Sequence, residues 1–265
     1  GDLDRAMALY QQSLDIEGNL GDLQGKAATL HQMAGVLETR GDLDRAMDLY
    51  QQSLDIEESL GNLQGKAATL HQMAGVLVRR GDLDGAMALY QQSLDLYEKV
   101  GDLKGKAATL HNMAGVLVRR GDLDGAMALL QQSLDINERL GDRRSQAYTL
   151  ASLAWMIAAQ GRQDEARSMA ARASTIFHKL GDRFGRARVL GIIGDLEMRR
   201  KDFPAAFSAL VEALGIAIDI GAAPVADDAA RGIVKIRAAI GATAFQKLWT
   251  EGTGTSELPE WLDPA

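Results

Sequence analysis

The chain has 265 residues, a formal net charge of −7 and no cysteine. The missing thiols exclude disulfides and thiolate metal sites, and the acidic balance argues against nucleic acid as the main partner. Hydrophobic residues make up 46% of the chain but aromatic residues only 5%, so Ala, Leu and Met must supply most of the packing. No apolar run in the sequence approaches the roughly 18 residues of a membrane-spanning helix.

A repeat of 40 residues decides the architecture. The segment that begins at Gly1 returns almost letter for letter at Gly41 and again at Gly81. A period of about 20 to 50 residues indicates a repeat array, in which each unit buries its apolar face against its neighbours. Because the chain begins inside this pattern, we expect it to be part of a longer protein.

Each repeat divides into two halves, and each half begins with Gly-Asp or a close match. Glycine readily adopts the left-handed conformation that ends a helix, and the Asp or Asn after it can accept N–H bonds from the first turn of the next helix. The pairs begin at Gly21, Gly41, Gly61, Gly81, Gly101, Gly121, Gly141 and Gly181. Gly161-Arg162 and Lys201-Asp202 are degraded versions at the same spacing, so we predict a helix boundary at each of these sites.

The apolar spacing between these turns is helical. In chain order it predicts a helix over 3–20 and then helix pairs over 23–60, 63–100, 103–140, 143–180 and 183–220. These elements make up a repeat array over 1–220. A divergent helical cap over 221–251 follows, with helices near 224–240 and 242–251, and an irregular tail over 252–265 ends the chain.

The repeat pattern resembles that of the tetratricopeptide repeat. Its alternation of large and small residues is found at Leu30, Met33, Ala34, Leu37, Gly41, Ala46 and Tyr50, and it recurs in the later copies. The resemblance implies an all-α fold, a right-handed superhelical solenoid of antiparallel helix pairs. The period is 40 rather than the common 34 or so. The longer unit is similar to the repeats of spindle-orientation adaptors, kinesin light chains and long bacterial arrays.

The resemblance also implies that a protein or peptide binds in a concave groove lined by the first helix of each pair. The groove residues that it implies are His31, Gly35, His71, Gly75, Arg79, His111, Gly115, Arg119, Tyr148, Trp155 and Arg188. Tyr148 and Trp155 stand in the first divergent unit, where they serve either as aromatic anchors for a ligand or as ordinary packing residues.

The histidines at position 31 of each copy raise the question of a metal site. Neighbouring helices lie about 8–10 Å apart, whereas a zinc–nitrogen bond is roughly 2.0–2.1 Å, and no carboxylate accompanies His31, His71 and His111 at ligand spacing. We therefore expect no metal and no cofactor. Solvated histidines copied by duplication and peptide contacts both remain open as interpretations.

Charge is segregated between the two helices of a pair, because Lys and Arg far outnumber Asp and Glu in the first helices. One interpretation is that arginines such as Arg79 and Arg119 interact favourably with the negative C-terminal ends of helix dipoles and keep the surface solvated. The other is a basic groove that attracts acidic peptides.

No catalytic motif is present: the sequence has no nucleophile elbow, no phosphate-binding loop and no HExxH helix. We therefore predict a non-catalytic protein-binding or peptide-binding scaffold, and the resemblance implies a bacterial and cytoplasmic setting. The alternative is a sensor or autoinhibitory segment of a multidomain signalling ATPase or a protease-like protein. Neither nucleic acid nor a membrane is an expected partner.

The sequence leads to one further prediction for each end of the chain. The helix over 3–20 is a second helix without its first, so Met7, Tyr10 and Leu14 lose part of their cover and end-to-end self-association is expected. At the other end, the acidic and aromatic tail around Trp261 either competes for the basic groove or packs on the cap.

Overall fold

The computed structural model describes residues 2–262 and contains thirteen α-helices and one 3₁₀ turn in that range, with no β-strand there. The helices run Asp2–Leu20 (α1), Leu23–Arg40 (α2), Leu43–Leu60 (α3), Leu63–Arg80 (α4), Leu83–Val100 (α5), Leu103–Arg120 (α6), Leu123–Leu140 (α7), Arg143–Ala159 (α8), Gln163–Leu180 (α9), Arg183–Arg199 (α10), Phe203–Asp219 (α11), Ala223–Ile240 (α12) and Ala242–Thr253 (α13). The predicted all-α fold of paired helices is confirmed. Between residues 2 and 262, no helix combines the length and the hydropathy that a membrane-spanning segment requires.

The chain forms two compact units, and the boundary falls within α7. Unit 1 ends at Ile136 and contains α1 to α6 with most of α7, while unit 2 begins at Asn137 and contains α8 to α13. We call the even-numbered helices from α2 to α12 first helices and the odd-numbered ones from α1 to α11 second helices. The predicted division into array, cap and tail stays a prediction.

Two residues make each turn between helices. Gly41 has a φ of 83° and its N–H bonds to the Glu38 carbonyl, which ends α2, while the Asp42 side chain accepts the Arg45 N–H and begins α3. The same geometry recurs at the other Gly-Asp pairs. Lys201 takes the place of glycine at a φ of 62°, which a side chain adopts at some cost. Arg162 provides no side-chain cap, as the degraded pair there predicts.

The core of unit 1 is shared between successive repeats. Tyr50 and Leu54 of α3 lie in one apolar cluster with Leu70 and Met73 of α4, which belong to the next repeat. Within a repeat, the buried Ser53 hydroxyl donates to the Ala27 carbonyl at 2.8 Å, and Ser93 and Ser133 repeat this bond one and two copies later. A single repeat therefore cannot bury its own core, which is the physical basis of stacking.

Arginine side chains join several first helices to the second helix of the preceding repeat. Arg80 donates to the Leu43 carbonyl at 2.9 Å and pairs with Asp44, and Arg120 does the same with the Leu83 carbonyl and Asp84. In unit 2, Arg200 pairs with Asp164 at 2.6 Å. Each exposed ion pair is worth only about 0–1 kcal/mol, but the carbonyl bond adds a directional contact that fixes the stacking of the repeats.

A glycine near the start of several first helices leaves room for a side chain of the preceding helix. A Cβ added at Gly105 would overlap the ring of the buried Tyr97, and one added at Gly185 would overlap the ring of Phe177. By contrast, a Cβ added at Gly115, within the same helix as Gly105, would meet nothing within 4 Å. Packing therefore requires a glycine at position 105 of α6 but not at position 115.

In unit 2 the chain ends in an aromatic cluster. Phe245 and Trp249 of α13 pack against Phe207 of α11, and the Trp249 Nε1–H donates to the Glu257 carbonyl at 3.0 Å. Leu262 is 1% exposed in the same cluster.

The structure corrects two expectations for the tail. Residues 252–253 belong to α13, and Glu260–Leu262 form a 3₁₀ turn, so the tail is not wholly irregular. The side chain that packs on the cap is Leu262, whereas Trp261 is 43% exposed. The physical reason is that the Trp249 and Gln246 side chains bond the tail carbonyls, which turns Leu262 toward α13. The last predicted tail residues, 263–265, lie outside the described residues.

The two glycines of α6 give a matched pair of variants. We expect Gly105→Ala to lower the free energy of unfolding by about 1–3 kcal/mol, because the Tyr97 ring must move. Gly115→Ala should raise it by about 1 kcal/mol, because alanine costs less entropy in an exposed helix position. Urea unfolding monitored by circular dichroism measures both. Equal effects of the two variants would contradict this account of the packing.

Candidate functional site

The three predicted histidines lie one on each first helix of unit 1: His31 on α2, His71 on α4 and His111 on α6. Each is half-buried. The side chains of these helices that lie around the three histidines are called the unit 1 face. Contacts between neighbouring first helices connect its members, so the structure brings these predicted residues together on one surface.

Hydrogen bonds tie the histidines to the next first helix. His71 Nδ1 lies 2.9 Å from Thr109 Oγ1, whose hydroxyl donates to the Gly105 carbonyl, so the histidine nitrogen is the donor in this contact. The Asn112 amide lies 2.9 Å from His71 Nε2 and donates to it. Both ring nitrogens of His71 are therefore in use, and the ring is neutral.

His31 is held in a similar chain. Its Nδ1 lies 2.9 Å from Thr69 Oγ1, and the Thr69 hydroxyl donates to the buried carboxylate of Glu57 at 3.2 Å. Burial lowers the pKa of His31 and lowers that of His71 to about 4. The rings also pack edge-on against Tyr50 and Tyr90, with centroids 5.2 and 5.3 Å apart. No group of three or more His, Asp or Glu side chains in residues 2–262 could hold a metal ion.

The glycines of the unit 1 face are not required by packing. A Cβ at Gly35 would lie 3.6 Å from the Tyr50 hydroxyl and one at Gly75 would lie 3.8 Å from the Tyr90 hydroxyl, which are ordinary contacts. Burial raises the pKa of Tyr90 to about 12 and also raises that of Tyr50, so both hydroxyls stay protonated at neutral pH. The glycines leave an open surface over these hydroxyls.

The arginines of the unit 1 face are tied to the end of the preceding first helix. Arg79 donates to the Glu38 carbonyl at 2.8 Å and pairs with its carboxylate at 3.4 Å, while Arg119 donates to the Val78 carbonyl at 2.9 Å. Each of these carbonyls stands at a helix end and also accepts the N–H of the glycine that ends the helix, so the arginine supplies a second bond. Part of their positive charge is therefore used within the fold.

In unit 2 the predicted residues differ in how far they are packed. The Tyr148 ring lies 4.8 Å from the Phe177 ring, and its hydroxyl donates to Asp182 at 3.2 Å. Trp155, on the same helix, is 49% exposed. The Arg188 guanidinium of α10 lies over the Phe184 ring at 6.0 Å. Tyr148 is thus largely a packing residue, whereas Trp155 and Arg188 face solvent.

The sequence interpretation missed that α12 is a further first helix. It contacts α10 as α10 contacts α8, and it places Asp228 and Lys235 at the positions that Arg188 and Asp195 hold one repeat earlier. The signal was available, because Gly221 stands 40 residues after Gly181 and keeps the turn glycine that precedes a first helix.

Comparison with known proteins agrees with this geometry. The tetratricopeptide repeat model matches residues 1–59, 25–99, 65–139 and 105–179 in four overlapping segments. The chain belongs to the tetratricopeptide repeat family. The predicted resemblance is therefore confirmed, although no curated protein matches the chain in sequence.

Several solved structures share the fold. BtubC (BKLC) from P. vanneervenii has a TM-score of 0.72 at 19% identity, over 83% of this chain and 93% of that one. A putative kinesin light chain from P. anserina, with nearly identical repeats, has a TM-score of 0.54 at 20% identity over 69% and 90%. A Rap protein has a TM-score of 0.66 at 16% identity over 93% and 72%. At these identities the likeness establishes the fold alone.

The neutral state of His71 can be measured. Because its pKa in the folded protein, about 4, is below the usual value near 6.5, folding stability from this group is complete above pH 6.5 and is lost as the pH falls toward 4. We expect the His71 ring signal in an NMR titration to have its midpoint near pH 4. In His71→Asn, the loss of stability between pH 6.5 and 4 should be smaller than in the parent protein. A midpoint near 6.5 would show that the ring is not buried as described.

Proposed function

We propose that this chain is a non-catalytic scaffold whose first helices bind a segment of another protein. The observation that carries the proposal is the stacking of first helices in each unit, which presents side chains of equivalent positions in rows on an open surface. Membership of the tetratricopeptide repeat family supports it. So does the Rap protein of similar fold, which was solved in complex with competence and sporulation factor.

The proposed contact residues are exposed or half-buried side chains of the first helices, together with the glycines between them. They are His31, Gly35, His71, Gly75, Arg79, His111, Gly115 and Arg119 in unit 1, and Tyr148, Trp155 and Arg188 in unit 2. The glycines let a ligand backbone approach closely, and the half-buried histidines offer ring edges for contact.

We propose an acidic segment as the ligand, because Lys and Arg dominate the first helices while the whole chain is negative. The arginine contacts within unit 1 reduce this excess without removing it, since the Arg79 side chain stays 51% exposed. A partner bound through such exposed charges is held weakly and is screened by salt.

Salt therefore tests this function directly. We expect acidic peptides to bind the intact protein more tightly than basic peptides of the same length at low salt. The affinity should fall as the ionic strength rises, because charges beyond about 8 Å are screened at 0.15 M. Fluorescence anisotropy at several salt concentrations measures the effect. A preference for basic peptides, or binding that ignores salt, would rule out the acidic ligand.

We also propose self-association through α1. No described residue of α1 is buried, whereas its counterpart α3 buries Ala46, Tyr50 and Leu54 against its neighbours. Leu9 and Ile16 of α1 are 56% and 58% exposed. An apolar helix face of this kind tends to find a partner, and a second copy of the chain supplies the same face.

Sedimentation velocity over a range of concentrations tests the association. The parent protein should shift toward larger species as its concentration rises, and the double variant Leu9→Lys, Ile16→Lys should remain monomeric. Leu60→Lys, at a comparably exposed leucine of α3, is the matched control and should behave as the parent does. A parent protein that stays monomeric at high concentration would contradict the proposal.

A further inference from the structure

Two rows of equivalent positions distinguish unit 2 from unit 1. The sixth residue of each first helix is alanine in unit 1, and the thirteenth is glycine. In unit 2 the sixth residues are Tyr148, Arg188 and Asp228, and the thirteenth residues are Trp155, Asp195 and Lys235. Residues seven apart lie on one face of a helix. Unit 2 therefore carries large aromatic and charged side chains where unit 1 has an open surface.

The two units also differ in whether these polar side chains already make bonds within the fold. In unit 1, His31, His71, Arg79 and Arg119 each bond to a neighbouring first helix. In unit 2, neither Arg188 nor Lys235 makes an ion pair with a carboxylate of residues 2–262. Because neither cation makes an internal ion pair in that range, each can pair with an external carboxylate without breaking one.

The charges around these rows favour an acidic partner. Asp228 is paired with Arg231, and Asp182 is shared by Arg144 and Tyr148, so these carboxylates are occupied. Arg188, Arg199 and Lys235 remain against Asp195. The Asp195 side chain is solvent-accessible, yet desolvation by its surroundings raises its pKa while Lys235 and Arg199 oppose that rise. Around the rows, three exposed cations therefore face one carboxylate that has no ion pair of its own within residues 2–262.

An exposed tryptophan lies on the first helix that neighbours α10. Trp155 is 49% exposed on α8, the first helix next to α10, and a Cβ added at Gly191 of α10 would meet nothing within 4 Å. Phe184, 45% exposed, lies under the Arg188 guanidinium at 6.0 Å, and Arg188 is itself exposed. Exposed tryptophan and arginine are the residue types that dominate binding energy at protein interfaces.

We propose that unit 2 is the recognition part of the chain, and that it binds an acidic protein segment through Trp155, Arg188 and Lys235. An aromatic or aliphatic side chain of the partner packs on Trp155, and acidic residues beside it pair with Arg188 and Lys235. The inference rests on the proposed function and narrows it, because it assigns the ligand to one unit and states its chemistry.

A random peptide library displayed on phage, selected against the intact protein, provides the probes. The enriched peptides should combine an aromatic or large aliphatic residue with flanking Asp or Glu. Their affinity, measured by fluorescence anisotropy with the synthetic peptides, should fall about tenfold or more in Trp155→Ala, as expected for a central anchor. Arg188→Glu and Lys235→Glu should each weaken binding similarly, and the double charge reversal should favour basic peptides instead.

Lys104→Glu is the charge-matched control, since Lys104 is an exposed residue of α6 outside the proposed contacts, and it should leave the affinity within about twofold of the parent value. Circular dichroism shows whether each variant folds, and Trp155→Phe, which keeps an aromatic ring, should retain most of the affinity.

Peptides that lose affinity with Arg119→Glu and keep it with Trp155→Ala would overturn the assignment to unit 2 while leaving the scaffold function intact. Enrichment of basic peptides would overturn the stated chemistry. If no peptide is enriched above background, the proposed function itself fails.

Discussion

The two-residue turn between helices is the constraint on which the remaining structure depends. A glycine in the left-handed conformation ends one helix, and the side chain of the next residue accepts an N–H bond that begins the following helix. Because the turn is so short, consecutive helices must lie antiparallel and in contact. The apolar stripe of each helix then meets its neighbour at the same height in every repeat, and residues 40 apart become equivalent.

Equivalence of residues 40 apart explains why contacts between repeats are copied as well. The serine bonds to the preceding first helix, the arginine pairs with the preceding second helix and the histidine bonds to the next first helix each recur along unit 1. A side chain that serves the stacking in one copy serves it in all. The face that the copies present is consequently occupied with its own internal bonds, and burial lowers the pKa of His31 and His71, which keeps these two rings neutral.

The fold could be predicted from the sequence because its signals are local and repeated. The Gly-Asp pairs and the apolar stripe predict where helices begin and end, and the structure has helices there. The bonding partners of long side chains were harder to predict from the sequence. That Arg79 bonds the Glu38 carbonyl depends on the distance between stacked helices, which no local pattern encodes. The burial of Leu262 in place of Trp261 depends on two side-chain bonds to the tail backbone, and these follow from the packing of α13.

Near-identical repeats limit what a face can recognise. Any contact that a partner makes with His31 and Gly35 can be made again, one repeat along, with His71 and Gly75, so several registers have similar free energies. Specificity requires a difference in free energy between the right arrangement and the others. Trp155 and Lys235 have no counterpart of their own type at the equivalent positions of other first helices, where the sequence has Gly35, Gly75 and Asp195. A partner that contacts both Trp155 and Lys235 is held in one register. The divergence of the sequence after three near-identical copies therefore gives an otherwise repetitive surface a single preferred binding position.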